Sequence, residues 1–229
     1  PASLTKIMTV GTALDYIINL DDTYTLPEFI FQDLYDQNAS LAGFQPNENI
    51  KIKDYLYGAI LPSGADATIG LSMYISGTEA SFVDLMNRKL NDIGIADTTH
   101  FANTSGLHNE SHYTTALDMG VILNQAWENP TFREIFTAHS YTTEPTNLNA
   151  EGISLSSTLF SRITGTEVPG VTILGGKTGF TDEAGYCLAT IAEKDGKEYM
   201  LITADAAENP DVSYPNINDA ITIYTNYLK

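Results

Sequence analysis

A serine stands three residues ahead of a lysine in the opening stretch PASLTKIMTV, at Ser3 and Lys6. On a helix, positions i and i+3 share a face with Cβ atoms about 5–6 Å apart, so this hydroxyl and this amine can meet. A serine hydroxyl is a weak nucleophile at neutral pH and needs a neighbouring base to take its proton as it attacks a carbonyl. Lys6 can be that base if burial and a nearby cation press its ammonium toward neutrality. A second hydroxyl comes at Ser63, between Pro62 and Gly64, and a second lysine at Lys177, followed by Thr178 and Gly179. Lys177 is the candidate for the nearby cation.

Position depends on the elements that carry these residues. Ile7, Met8, Ala13, Leu14, Ile17 and Ile18 recur at helical spacing, which predicts a helix from Leu4 to about Leu20 with Ser3 in its first turn. Free N–H groups and the positive end of the helix dipole gather there. Residues Asp21 to Asn49 read as a loop rich in Asp, Gln, Asn and Gly. The stretch IKIKDYLYGAILPSGADATIGLSMYI reads as two short helices broken at Pro62-Ser63-Gly64, with Ser63 on a tight, exposed bend. Thr78 is placed to cap a long helix whose apolar face carries Phe82, Leu85, Met86, Leu90 and Ile93, and Thr115 with Asp118 forms a capping box for a helix through Trp127. The period then changes. VTILGG, AGYCLATIAEK and KEYMLITADA read as strands, the last two joined by the hairpin dipeptide Asp195-Gly196, and a helix from about Asn216 to Leu228 ends the chain. The order of elements predicts an α+β fold of one domain, 1–229: an antiparallel sheet flanked by helices, with a helical lobe of about 20–160 inserted between the Ser3 helix and the late strands.

Composition narrows the classes. Apolar residues make up 43% of the 229 and charged residues 17%, as in a globular chain with its own core. The 29 acidic against 11 basic residues give a net charge of −18, which repels phosphate backbones and anionic lipid headgroups and argues against nucleic-acid or direct membrane-surface binding. The single cysteine, Cys187, sits in the apolar run YCLATIA and reads as core packing. No apolar run approaches the ~20 residues of a membrane span. His108 and His112 are four apart, but HNESH fits neither HExxH nor HxxEH, so no metal and no cofactor is expected.

The three segments SLTK, SGA and KTG, in that order, resemble the motif set of penicillin-binding proteins and class A β-lactamases. PASLTKIMT, LPSGADA, THFANTSGL, HYTTALDM and GGKTGFTDEAGYC look more specifically like the serine D-alanyl-D-alanine carboxypeptidases, the low-molecular-mass penicillin-binding proteins, and the likeness spans essentially the whole chain. It implies a β-lactamase/transpeptidase-like fold, in which strands preceding the first motif complete the central sheet. The native chain is accordingly expected to begin before Pro1. It also implies a place outside the cytoplasmic membrane, associated with the cell envelope, with any membrane contact made through a segment not present here.

The resemblance further implies roles. Ser3 is the nucleophile and Lys6 its base, and Ser63 relays a proton to the departing D-Ala. Lys177, Thr178 and Thr181 receive the free carboxylate of a peptidoglycan stem peptide ending in D-Ala-D-Ala. The oxyanion is held by the N–H groups of Ser3 and Phe180, the residue after Gly179, and β-lactam antibiotics acylate the same serine. Gly175 and Gly176 read as allowing close approach of substrate to the strand. One position departs: where the family carries Asn in its Ser-x-Asn motif this chain has Ala65, which donates no hydrogen bond to Lys6 or substrate. Two other readings therefore stand beside the carboxypeptidase. One is a penicillin-binding sensor or wall-binding homologue weakened by Ala65. The other is a class A-like β-lactamase, whose E-x-x-L-N loop is missed by one residue in EPTNLN, Glu144 to Asn149.

Overall fold

The structure is a computed structural model that describes residues 1–163 and 168–228. A 3₁₀ turn over Ala2–Leu4 runs directly into helix α1, Thr5–Tyr16, in which every residue from Thr5 to Ala13 is buried. The helix stops four residues short of the expected Leu20. Ile17 is extended, Ile18 is 99% exposed, and Asn19 makes side-chain bonds to Asp22 (2.7 Å) and to the Asp21 N–H (3.1 Å). Apolar period alone overran the point where a local side-chain turn outcompetes the helix.

The expected loop after it contains structure. Strand β1, Thr23–Thr25, pairs antiparallel with β2, Asn49–Lys51, and between them helix α2, Phe29–Asp36, buries Ile30, Phe31 and Leu34. Helices α3, Ile52–Ile60, and α4, Ala65–Ser76, follow with the break where Pro62-Ser63-Gly64 predicts it. Ser63, however, is buried at 6% exposure, not on an exposed bend. The reason lies in the next residues. The Asp66 carboxylate accepts the backbone N–H groups of Ala42 (2.8 Å), Gly43 (3.2 Å), Phe44 (3.2 Å) and Ala67 (2.9 Å), drawing residues 42–44 over the bend.

Helix α5, Glu79–Asp92, starts at Thr78, whose hydroxyl accepts the Ser81 N–H, and α6, Ala116–Trp127, starts at Thr115, whose hydroxyl accepts the Asp118 N–H. The reciprocal half of that capping box is diverted: the Asp118 carboxylate takes the hydroxyls of Thr98 and Thr99, both at 2.7 Å. A short helix α7, Pro130–Thr137, capped by Asn129, and a small antiparallel pair, β3 (Ser140–Thr142) and β4 (Ser154–Ser156), lead to the sheet.

Strands β5, Thr172–Thr181, β6, Gly185–Lys194, and β7, Lys197–Ala206, form an antiparallel meander in the order β5-β6-β7, and helix α8, Pro215–Tyr227, packs on it. The turn residues Asp195 and Gly196 both have positive φ (52° and 73°), as a two-residue hairpin of this type requires. Alternation along the central strand separates two apolar layers. Cys187, Ala189 and Ile191 face the helical core with α1 and α6, while Leu188 and Ala192 face Ile217, Ala220 and Tyr224 of α8. The architecture is the expected α+β one, helices on both faces of an antiparallel sheet. Cys187 is a free, buried core thiol.

Asp66 is the tie between the bend and the strap that covers it, so Asp66→Ala strands four N–H groups at once, three of them in the strap. The expected loss of stability is on the order of 3 kcal/mol. Thermal or denaturant unfolding checks it, and an unchanged midpoint would show that the strap is held by packing alone.

Candidate active site

The 3₁₀ turn presents Ser3 at the threshold of α1, and the next turn presents Lys6, so Lys6 Nζ donates to Ser3 Oγ at 3.0 Å. The same ammonium donates to the Ser105 carbonyl at 2.5 Å. Lys6 is 2% exposed. Burial lowers it to about 7, opposed in part by the negative charge of Asp66. The expected mechanism for that shift thus holds in its first half: desolvation is the main cause.

The second pair comes from the bend and the sheet. Lys177, wholly buried on β5, donates to Ser63 Oγ at 2.8 Å and to the Thr178 carbonyl at 2.7 Å. Burial holds its ammonium well below the usual lysine range, with Lys6 and Arg162 adding like-charge repulsion. Ser63 reaches inward because its backbone sits at φ +67°, a left-handed conformation between two right-handed helices. Gly64 N–H to the Gly58 carbonyl (2.9 Å) and Ala65 N–H to the Ser40 carbonyl (2.8 Å) hold it there.

The two pairs meet along β5. A Cβ at Gly179 would lie 3.1 Å from the Ser3 nitrogen and 3.3 Å from Ala2 Cβ, so the strand seats its backbone against the turn that carries Ser3. The other two strand glycines serve the protein rather than a ligand. A Cβ at Gly175 would come within 2.3 Å of the Phe136 carbonyl, and one at Gly176 within 2.5 Å of Leu159. The expectation that they open the strand to substrate is corrected accordingly. Thr178 shares a hydroxyl bond with Thr158 at 2.8 Å. Phe180 is 47% exposed beside Tyr186, and the Thr181 hydroxyl accepts the Ala184 N–H at 3.1 Å with its own proton still to give.

Ala65, the departure from the motif, is the buried first residue of α4 and offers Lys6 nothing. The acceptor that Lys6 does find, Ser105, was not singled out as a site residue. It acts through its backbone carbonyl, which any residue type supplies, and only its place in the segment THFANTSGL hinted at it. That segment is firmly built: Asn103 Oδ1 accepts the Gly106 N–H at 2.7 Å, and the Thr104 carbonyl accepts the Thr9 hydroxyl of α1 at 2.7 Å. His108 and His112 do not act as a pair. His108 faces Glu183 at 3.7 Å, whereas both nitrogens of His112 are engaged within the protein. In the near-miss loop Thr146 and Asn149 bind Glu48 at 2.5 and 2.6 Å, and Glu144 is exposed.

Two hydroxyl–amine pairs with buried amines beside a glycine-bearing strand can perform acyl transfer: one hydroxyl attacks, and the other carries a proton. The chain as a whole is similar to known proteins. The family model for D-alanyl-D-alanine carboxypeptidase, peptidase S11, matches residues 1–208. The chain is 30% identical over 216 residues to the D-alanyl-D-alanine carboxypeptidase DacF of Bacillus subtilis, covering 90% of this chain and 51% of that protein. It is 30% identical over 202 residues to the D-alanyl-D-alanine carboxypeptidase of Streptomyces sp. strain K15, covering 85% of this chain and 68% of the relative. It therefore spans about half the length of the Bacillus protein. The crystal structure of the Streptomyces K15 DD-transpeptidase superposes with a TM-score of 0.83 at 29% identity, over 98% of this chain and 87% of that one. A point mutant of the same enzyme gives 0.84 at 28% identity, over 99% and 88%. The chain belongs to the peptidase S11 family, the D-alanyl-D-alanine carboxypeptidases.

Proposed function

We propose that residues 1–229 act as the catalytic unit of a serine D-Ala-D-Ala carboxypeptidase that trims peptidoglycan stem peptides through an acyl-enzyme on Ser3. The observation that carries this reading is the convergence of Ser3–Lys6 (3.0 Å) and Ser63–Lys177 (2.8 Å) on the strand whose Gly179 abuts the Ser3 nitrogen. Neutral Lys6 takes the Ser3 proton as Oγ attacks the penultimate D-Ala carbonyl. The Ser3 and Phe180 N–H groups receive the oxyanion; losing one such donor typically costs roughly 2.7–4 kcal/mol. As the peptide C–N bond breaks, Ser63 gives its proton to the leaving D-Ala amine and is resupplied from the lysines. Water, giving its proton to Lys6, then hydrolyses the ester and restores Ser3.

The substrate's terminal carboxylate goes to Lys177, Thr178 and Thr181. Lys177 is depressed by burial and by the like charges of Lys6 and Arg162, and an arriving carboxylate favours the ammonium again, so binding and charging of this pocket are coupled. β-Lactams, which place a strained amide beside a carboxylate, acylate the same hydroxyl. A protein that trims stem peptides would act outside the cytoplasmic membrane, at the cell envelope where its substrate lies. Among the described residues no helix is long and apolar enough to cross a membrane.

Incubation with a D-Ala-D-Ala-terminated peptide is expected to release free D-Ala, and Ser3→Ala to abolish both release and labelling by a fluorescent penicillin. Labelling without release would replace this reading by a penicillin-binding sensor. Rapid penicillin turnover would replace it by a β-lactamase.

Protonated Lys6 cannot accept the Ser3 proton, so activity falls as pH drops through its value of about 7. The acylation rate is expected to rise about tenfold per pH unit below that point and to level off above it. A rate flat from pH 5 to 9 would remove Lys6 as the base. Ala65→Asn is expected to raise acylation several-fold, since one added hydrogen bond is worth roughly 0.5–1.5 kcal/mol. No change in the labelling rate would mean that the Ser105 carbonyl alone suffices.

A further inference from the structure

His112 lies outside the residues given a role so far, yet both of its nitrogens are committed. Its Nδ1 accepts the Ala102 N–H at 3.1 Å, and its Nε2 lies 2.7 Å from Thr5 Oγ1. A nitrogen that accepts from a backbone N–H carries no proton, so the ring holds its proton on Nε2 and donates it to Thr5. Thr5 Oγ1 in turn donates to the Ala2 carbonyl at 2.8 Å. The chain of donation therefore runs one way, from His112 through Thr5 to Ala2. Burial, then the positive charges around it, push His112 down to about 3, which keeps the ring neutral and the direction of this chain fixed.

The Ala2 carbonyl and the Ser3 N–H belong to one planar peptide unit and point in opposite directions across it. Whatever aims the carbonyl also aims the N–H. This peptide needs aiming, because Ala2 holds a left-handed φ of +48°, a conformation that L-residues disfavour. Its carbonyl is also confined from the side of the Ser105 segment, where a Cβ on Gly106 would fall 1.8 Å from it. We propose that His112 is a positioning residue, acting through the Thr5 hydroxyl on the Ala2–Ser3 peptide to point the Ser3 N–H at the developing oxyanion. This rests on the reading of Ser3 N–H as an oxyanion donor. Donors of that kind act on the transition state and leave the bound ground state nearly unchanged.

The test compares wild type, His112→Ala, Thr5→Val and the double variant by penicillin labelling rate, by kcat and KM for D-Ala release, and by thermal midpoint. Each single change is expected to lower labelling and kcat on the order of 10-fold with KM nearly unchanged. The double variant is expected to be no worse than the more damaged single, since both remove one relay. His112→Gln, with a donor and an acceptor on one amide, and Thr5→Ser, which keeps the hydroxyl, are each expected to restore most of the rate; they carry the test if the alanine variant does not fold. Wild-type labelling in His112→Ala, a loss confined to KM, or single losses that multiply in the double variant would overturn the positioning role while the carboxypeptidase reading stood. A wild-type protein that neither labels at Ser3 nor releases D-Ala would overturn both.

Discussion

Two lysine ammonium groups are taken almost wholly out of water, and the rest of the site is organised around that cost. Desolvation of an unpaired ammonium is among the largest penalties a fold can carry. Each amine is met by one serine hydroxyl and one backbone carbonyl: Ser3 and Ser105 for Lys6, Ser63 and Thr178 for Lys177. Among the described residues these four partners are few for two ammonium groups with three donors each, and burial shifts both toward the neutral amine. The left-handed bend at Ser63, the side-chain-free approach of Gly179 and the firmly anchored Ser105 segment are the backbone conditions under which those partners arrive.

Much of this was legible in the residues. Ser3 and Lys6 share a face because helical geometry requires it, and Thr78, Thr115 and Asp195-Gly196 mark their helices and hairpin by chemistry that acts locally. Alternation along Gly185–Lys194 also assigns each side chain to one of two layers. What was not legible depends on partners distant in sequence. Helix α2 is short, and its three buried residues gain meaning only against the core. Ser63 reads as exposed from Pro and Gly alone, since nothing local announces that Asp66 will fold residues 42–44 across it. Gly175 and Gly176 are explained by Phe136 and Leu159, and the Ser105 carbonyl by no side chain at all.

The acidity of the chain acquires a more local meaning at the site. Asp66 is buried within electrostatic reach of Lys6, yet its oxygens are occupied by backbone N–H groups rather than by that lysine. It therefore raises Lys6 only through space, against the stronger effect of burial. A direct ion pair would have fixed the ammonium in its charged form and removed the base. Spending a carboxylate on main-chain donors gives the bend its rigidity without disturbing that balance.

Helix α1 has no solvent-facing side from Thr5 to Ala13, and at Gly11 even a methyl group would press within 3.3 Å of Ala126. The element that carries Ser3 and Lys6 is thus an axle with no slack. Divergence toward other acyl donors has to proceed through the parts that surround it, the strap at 42–44, the segment at 103–114 and the turn after Thr181. An experimenter reshaping this protein for a new leaving group would find the same partition: libraries belong in those three stretches, while the axle tolerates little beyond the sequence it already has.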